Sequence, residues 1–195
     1  MAATKEDRRI RRTKRLLKQG LAEMMNEKEF KDITVKDITE KADLNRGTFY
    51  LHYSDTYDLL RKVEDEILQD FQNMIDKYAQ NIDSENPSLL PVLSPIAGYV
   101  IENIDICKSL FNNRASTDFT EKFQQLISRN GASFINKQYP GASIENYEYF
   151  FSFITCGTVG IIKKWFESDP MKPKEEIVVM TAKIIRAAAN SMLKS

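Results

Sequence analysis

The residues best suited to chemistry lie between Asn45 and Tyr53, where Arg46, Gly47, Thr48, Tyr50 and His52 crowd small, cationic or hydrogen-bonding groups onto one short segment. They do not make a catalytic set. His52 is the only histidine in the 195-residue chain, so imidazole-activated nucleophiles and histidine-rich metal sites have almost no material. What such side chains do suit is hydrogen bonding to base edges in a major groove, which a helix approaches closely only when its outer residues are short, polar or cationic. Arg46, Thr48 and His52 are the candidates for bases, with Gly47 permitting the approach. Tyr50, Thr34, Lys36 and the arginines of residues 8–12, Arg11 and Arg12 among them, are better placed for phosphates, and Asn45 completes the DNA-binding set.

Positioning such residues requires a short helix held by another. Thr34 can cap a first helix, its hydroxyl accepting from N–H groups that the first turn leaves unpaired. Val35, Ile38 and Ala42 fall at i, i+3 and i+7 and give that helix one apolar face, about two turns long. Asp43 follows, one of the few non-glycine types that tolerate the left-handed conformation of a tight turn. Asn45 can then cap a second helix, with Phe49 and Tyr53 facing inward beside Leu44. A helix-turn-helix fits this pattern, and so does an ordinary helical hairpin in an all-α core.

Charge separates the two readings. The formal net charge is zero, but residues 1–20 carry eight basic and two acidic side chains, and residues 1–62 carry 15 basic against 11 acidic. The remaining residues hold 13 basic and 17 acidic, so the chain is a basic head on an acidic body. A basic cluster beside a helix-turn-helix is the electrostatic footprint of phosphate binding.

The flanking segments read as helices throughout, about nine in all, with no convincing strand. Residues 8–27 place Leu17, Leu21, Met24 and Met25 on one side, and a polar connector at 26–33 tucks in Phe30 and Ile33. Ser54 caps a long helix running from about Asp55 to Asn81, with Leu60, Val63, Ile67, Phe71, Met74 and Tyr78 on its apolar stripe. A break at 82–87 precedes a short or kinked helix within 88–104, where Pro91, Pro95 and Gly98 interrupt the apolar run. Helices over Asp105–Asn112 and Thr117–Tyr139 follow, the latter weakened at Gly131 and stopped by Pro140-Gly141. Ile144–Phe166 is apolar over most of its circumference, which predicts burial on more than one side, and Lys174–Lys194 closes the chain. The final pair can cap a monomer's core or join its copy in a four-helix bundle through Phe151, Thr158, Ile162, Thr181, Ile185 and Ala188.

The order of these elements closely resembles the tetracycline-repressor (TetR) family of bacterial transcriptional regulators. The residues that carry it are Ile33-Thr34-Val35-Lys36-Asp37-Ile38, Ala42-Asp43-Leu44, Arg46-Gly47-Thr48-Phe49-Tyr50, His52-Tyr53 and Asp58-Leu59-Leu60. They cover roughly residues 8–63. Two positions depart from the family pattern: Asp43 stands for the usual turn glycine, and Thr56 for a lysine that binds phosphate near the start of the fourth helix. The stretch from Phe49 to Leu60, with Gly157 and Trp165, is similar to a Firmicute-type subgroup that includes dihydroxyacetone-kinase operon regulators.

The resemblance implies an all-α protein with a helix-turn-helix DNA-binding domain at 1–54 and a helical effector-binding and dimerisation domain at 55–195. It implies a homodimeric repressor on a double-stranded operator of dyad symmetry, released when an effector in the body moves the fourth helix. Phe71, Met74, Tyr78, Tyr99, Phe111, Phe123 and Phe150 are candidates for the lining of a pocket for a small apolar or aromatic effector, although aromatics at helical spacing equally make core. A protein partner in place of a small inducer is the alternative. Catalysis is not expected: no glycine loop cradles phosphate, Gly157 to Gly160 lies within a helical pattern, and the carboxylates are scattered. No cofactor or metal is expected, since Cys107 and Cys156 lack a CxxC partner and read as buried free thiols. With no apolar run near the ~18 residues of a membrane span and a charged N-terminus, the chain reads as cytoplasmic.

Overall fold

The computed structural model describes residues 5–79, 88–112, 117–138 and 144–192. Among them are nine α-helices and no strand: α1 (Lys5–Glu27), α2 (Val35–Lys41), α3 (Arg46–Tyr50), α4 (Thr56–Ala79), α5 (Leu90–Glu102), α6 (Ile104–Asn112), α7 (Thr117–Gln138), α8 (Ile144–Glu167) and α9 (Lys174–Met192). A 3-10 turn, Phe30–Asp32, links α1 to α2. The expected break at 82–87, the Pro140-Gly141 stop and the far ends of three helices lie outside the described residues. No single helix among those described is long and apolar enough to cross a membrane.

Packing divides the chain into two compact units, one from Met1–Ile67 with Asn103–Thr117, the other from Leu68–Glu102 with Asp118–Ser195. These units part inside α4, after Ile67, whereas the boundary at 54/55 is the expectation from the sequence. α6 packs on α1 and buries Cys107 and Leu110 fully. Ser109 extends the seam, its hydroxyl 2.8 Å from the Asp105 carbonyl and 3.3 Å from that of Ala22. Phe111 is buried on this helix, within the first unit.

In that first unit α1 buries Leu17, Leu21, Met24 and Met25, as its periodicity predicts. Each such side chain removed from water contributes roughly 1.5–3 kcal/mol. α1 comes so near α2 at Gly20 that a Cβ there would sit 2.8 Å from the Ile38 carbonyl oxygen. Ile38 and Ala42 fill α2's inner face, and Phe30 and Ile33 close the connector.

The second unit is built on aromatic contacts. The Phe71 ring meets Tyr99 edge-on at 5.4 Å and Phe123 at 5.7 Å, and Gln72 and Asn130 exchange reciprocal amide hydrogen bonds of 2.9 and 3.0 Å. Phe150, Phe151, Ile154 and Ala189 form a cluster joining α8 to α9, with Ala132 and Phe134 of α7 against it. Gly131 leaves the space that the Phe151 ring occupies, which explains a glycine in mid-helix where propensity disfavours it. Contrary to the expectation from its composition, α8 buries one side only: Tyr149 and Phe153 are 67% and 56% exposed, and Cys156, Gly157 and Gly160 share that open face. Cys107 is buried and Cys156 exposed, so only one thiol fits the buried reading.

Candidate nucleic-acid interface

The turn between α2 and α3 is fixed by local chemistry. The Thr34 hydroxyl accepts from the Asp37 N–H at 3.2 Å, while the Asp37 carboxylate accepts from the Thr34 N–H at 2.7 Å, a closed capping box. The same carboxylate takes the Thr34 hydroxyl proton at 2.6 Å and the Lys28 ammonium at 2.7 Å. Those bonds, Lys28 foremost, hold Asp37 well below the usual carboxylate range. Asp43 ends α2 at φ 51°, in the left-handed conformation expected of it, and the Leu44 N–H closes back on the Thr39 carbonyl at 2.9 Å. The Asn45 side chain accepts from the Gly47 N–H at 2.7 Å and starts α3.

The capped helix buries Phe49 completely and Tyr53 nearly so. Arg46, Gly47 and Tyr50 face outward, whereas Thr48 and His52 are half-buried at its flanks. Burial, and secondarily the charge of Lys14, pull His52 below its ordinary pKa, so its imidazole is neutral near pH 7 and offers one donor and one acceptor. Leu51, which the sequence reading passed over, is 79% exposed. Helical periodicity contains the signal for it, since Leu51 lies at i+4 from Gly47 on the face shared with Arg46 and Tyr50.

Salt bridges single out one cation. Among the described residues from 28 to 62, Lys28 pairs with Asp37, Lys31 with Glu29, Lys36 with Glu40 and Lys41 with Glu27, and Arg61 and Lys62 share Asp58, all within 4 Å. Arg46 has no such partner and is exposed. Arg11 and Arg12 are exposed on α1, as are Thr34 and Lys36 at the start of α2. Thr34 has both its N–H and its hydroxyl committed to Asp37 in the capping box.

The base of α4 is assembled differently from expectation. Asp55, not Ser54, caps it, accepting from the Asp58 N–H at 2.7 Å, because Ser54 instead gives its own N–H to the Asp58 carboxylate at 3.1 Å. Asp58 also holds Arg61 at 2.8 Å and Lys62 at 2.9 Å, which lowers its pKa. The Lys62 ammonium lies 3.2 Å from the His52 carbonyl and 5.3 Å from the centre of the Tyr53 ring. Thr56, where the resemblance expects a phosphate-binding lysine, is buried. The neighbouring Tyr57 is 62% exposed with its ring edge-on to Phe30 at 5.0 Å.

The expected effector and dimer residues fall in the second unit, Phe111 excepted. Phe71, Phe123 and Phe150 are buried, and Met74, Tyr78 and Tyr99 half-buried, with the Tyr78 hydroxyl donating to the Ser88 carbonyl at 2.5 Å. Of the expected dimer residues, Phe151 and Thr181 point into the unit and present no free surface, because α7 and the α8–α9 seam cover them. Ile185 and Ala188 pack on that same cluster, and Thr158 and Ile162 are half-buried.

Comparison with known proteins agrees with this arrangement. Residues 19–63 match the family profile described as bacterial regulatory proteins, tetR family, and residues 87–187 match that of the transcriptional regulator C-terminal region. An uncharacterised HTH-type transcriptional regulator of Bacillus subtilis, YxbF, is 39% identical over 56 residues, which is 28% of this chain and 15% of that protein. Solved structures sharing the fold include the fatty acid degradation regulator FadR of Bacillus halodurans (12% identity, TM-score 0.69, covering 95% of this chain and 96% of that one). The dihydroxyacetone kinase operon activator DhaS (16%, 0.61, 93% and 98%) and a TetR regulator from Streptococcus agalactiae (18%, 0.60, 92% and 97%) share it as well. With the C-terminal profile alone spanning more than half of its length, and the helix-turn-helix profile lying over α2 and α3, the chain belongs to the TetR family of transcriptional regulators and carries that family's N-terminal DNA-binding domain.

Proposed function

We propose that the protein is a homodimeric repressor that binds an operator of dyad symmetry through α3 and is released when an effector binds the second unit. The observation that carries the reading is Arg46: an exposed guanidinium with no carboxylate partner, on a capped helix beside Gly47, where every other lysine and arginine from residue 28 to 62 is paired. A bidentate guanidinium is the usual reader of guanine O6 and N7. Two copies of α3 would enter successive major grooves about 34–36 Å apart.

Dimerisation is supported by the open face of α8, where Tyr149 and Phe153 stand with Gly157 and Gly160, and by half-exposed Met180 and Ile184 on α9. These replace Phe151 and Thr181 as the residues proposed for the interface. The effector is proposed to be small and apolar or aromatic, since the Phe71 ring meets those of Tyr99 and Phe123, and Met74 is half-buried on the same helix. That DhaS is by name an activator supports keeping activation as the second reading of the regulatory sign.

Binding titrations at two salt concentrations, on duplexes selected from a random pool, test the assignment. Arg46→Ala should lose discrimination between selected and random duplex, each good bidentate contact contributing about 1–3 kcal/mol. Arg12→Ala should weaken both duplexes alike and reduce the salt slope by about 1. Identical behaviour of the two variants would overturn the reading. Sedimentation mass of the free protein tests the dimer.

A further inference from the structure

The most exposed large apolar side chain described in the DNA-binding unit is on the reading helix itself. Leu51 is 79% exposed, against 58% for Tyr50, 62% for Tyr57 and 36% for Ile10. Its backbone stays helical at φ −70°, ψ −19°, so its side chain continues the outer face of α3. Gly47 stands one turn earlier on that face, and a Cβ added there would meet only the Asn45 side chain, at 3.3 Å. Leu51 therefore projects beside a strip of bare backbone, flanked by Arg46 and Tyr50. Among the described residues of the unit, none buries it.

We infer that Leu51 reads the C5 methyl of a thymine in the major groove. The inference rests on the assignment of α3 as the reading helix. Thymine's methyl is the only apolar group that base edges present in that groove, and aliphatic side chains are its usual partners. The surroundings select this occupant over an apolar protein surface. An exposed Arg46 with no carboxylate partner at the start of the same helix, with the exposed arginines of α1 in the same unit, favours a polyanion and disfavours a second apolar patch. Arg46 and Leu51, about one and a half turns apart on one helix, would then read neighbouring positions, one by hydrogen bonds and one by exclusion of water from a methyl group.

The test removes the methyl from the DNA and the side chain from the protein. Duplexes are first selected from a random pool with the full-length protein, and each thymine of the selected sequence is then replaced singly by deoxyuridine, which lacks only the methyl. At one thymine the wild-type affinity should fall about fourfold, the worth of one buried methyl group. Leu51→Ala, whose folding is checked by circular dichroism, should bind the thymine and uracil duplexes equally. Wild-type indifference to every replacement overturns the inference while leaving DNA binding intact. So does a Leu51→Ala variant that keeps the fourfold loss, or one whose oligomeric mass changes while its response to uracil does not. Failure to select any sequence overturns the DNA-reading assignment itself, and this inference with it.

Discussion

Gly20→Ala sets two known effects of opposite sign against each other at one atom. Gly20 is inside α1, so alanine should gain about 1 kcal/mol in helix propensity. The added Cβ would lie 2.8 Å from the Ile38 carbonyl oxygen and 3.5 Å from the Ala42 nitrogen. The first contact is about 0.6 Å inside the ordinary van der Waals limit, and both atoms are backbone, so no side chain can swing away. Overpacking of this kind costs typically about 1–3 kcal/mol. The clash should win, for a net loss of up to about 2 kcal/mol. Gly98→Ala in α5 is the matched control, because its Cβ would meet only the flexible end of Lys174 at 3.6 Å and should keep the propensity gain. Urea denaturation of both variants, followed by circular dichroism at one protein concentration, gives the comparison. A Gly20→Ala midpoint equal to or above that of Gly98→Ala would refute the claim that α1 and α2 touch backbone to backbone.

Other expectations follow from named contacts. Asp37→Asn opens the capping box and should cost about 1 kcal/mol at pH 7. Because the folded-state pKa of Asp37 is depressed, that stability is present above the unfolded carboxylate value and lost as pH falls below about 4. The gap between wild type and variant should therefore narrow in acid unfolding curves. Cys107, its pKa pushed up to about 12 by burial, should resist thiol reagents at neutral pH until the chain unfolds, which mass spectrometry of the labelled protein can follow. Asp43→Gly should stabilise by about 1 kcal/mol, since φ 51° strains any residue with a Cβ, and thermal unfolding measures it.

The reading segment was legible because its signals are local. Thr34, Asp43 and Asn45 are caps and turn residues whose chemistry needs no knowledge of the rest of the chain, and each stands where that chemistry requires. Asp55 was mistaken for a residue inside the helix because Ser54 is an equally good cap by type. Only the competing bond from the Ser54 N–H to Asp58 decides between them. Phe151 and Thr181 show the limit of periodicity: a helix apolar around most of its circumference does not announce which side its own chain will cover. Ser109 shows another, since its contact with α1 spans more than eighty residues of sequence. Leu51 was hidden by a habit of expecting apolar residues inside.

Lys62, paired with Asp58 on its own helix, joins α4 to the end of the helix-turn-helix segment through a carbonyl and an aromatic face at once. Mechanically this makes a stiff elbow. A small rotation of the first turns of α4 would have two attachments through which to drag the His52–Tyr53 corner. On the other side of α3, the turn at Asp43–Leu44 is a single strained residue closed by backbone bonds. In the proposed repressor, tension delivered through the elbow would reach Arg46 as displacement of the whole short helix, and the guanidinium would leave its register as a unit with the backbone that carries it.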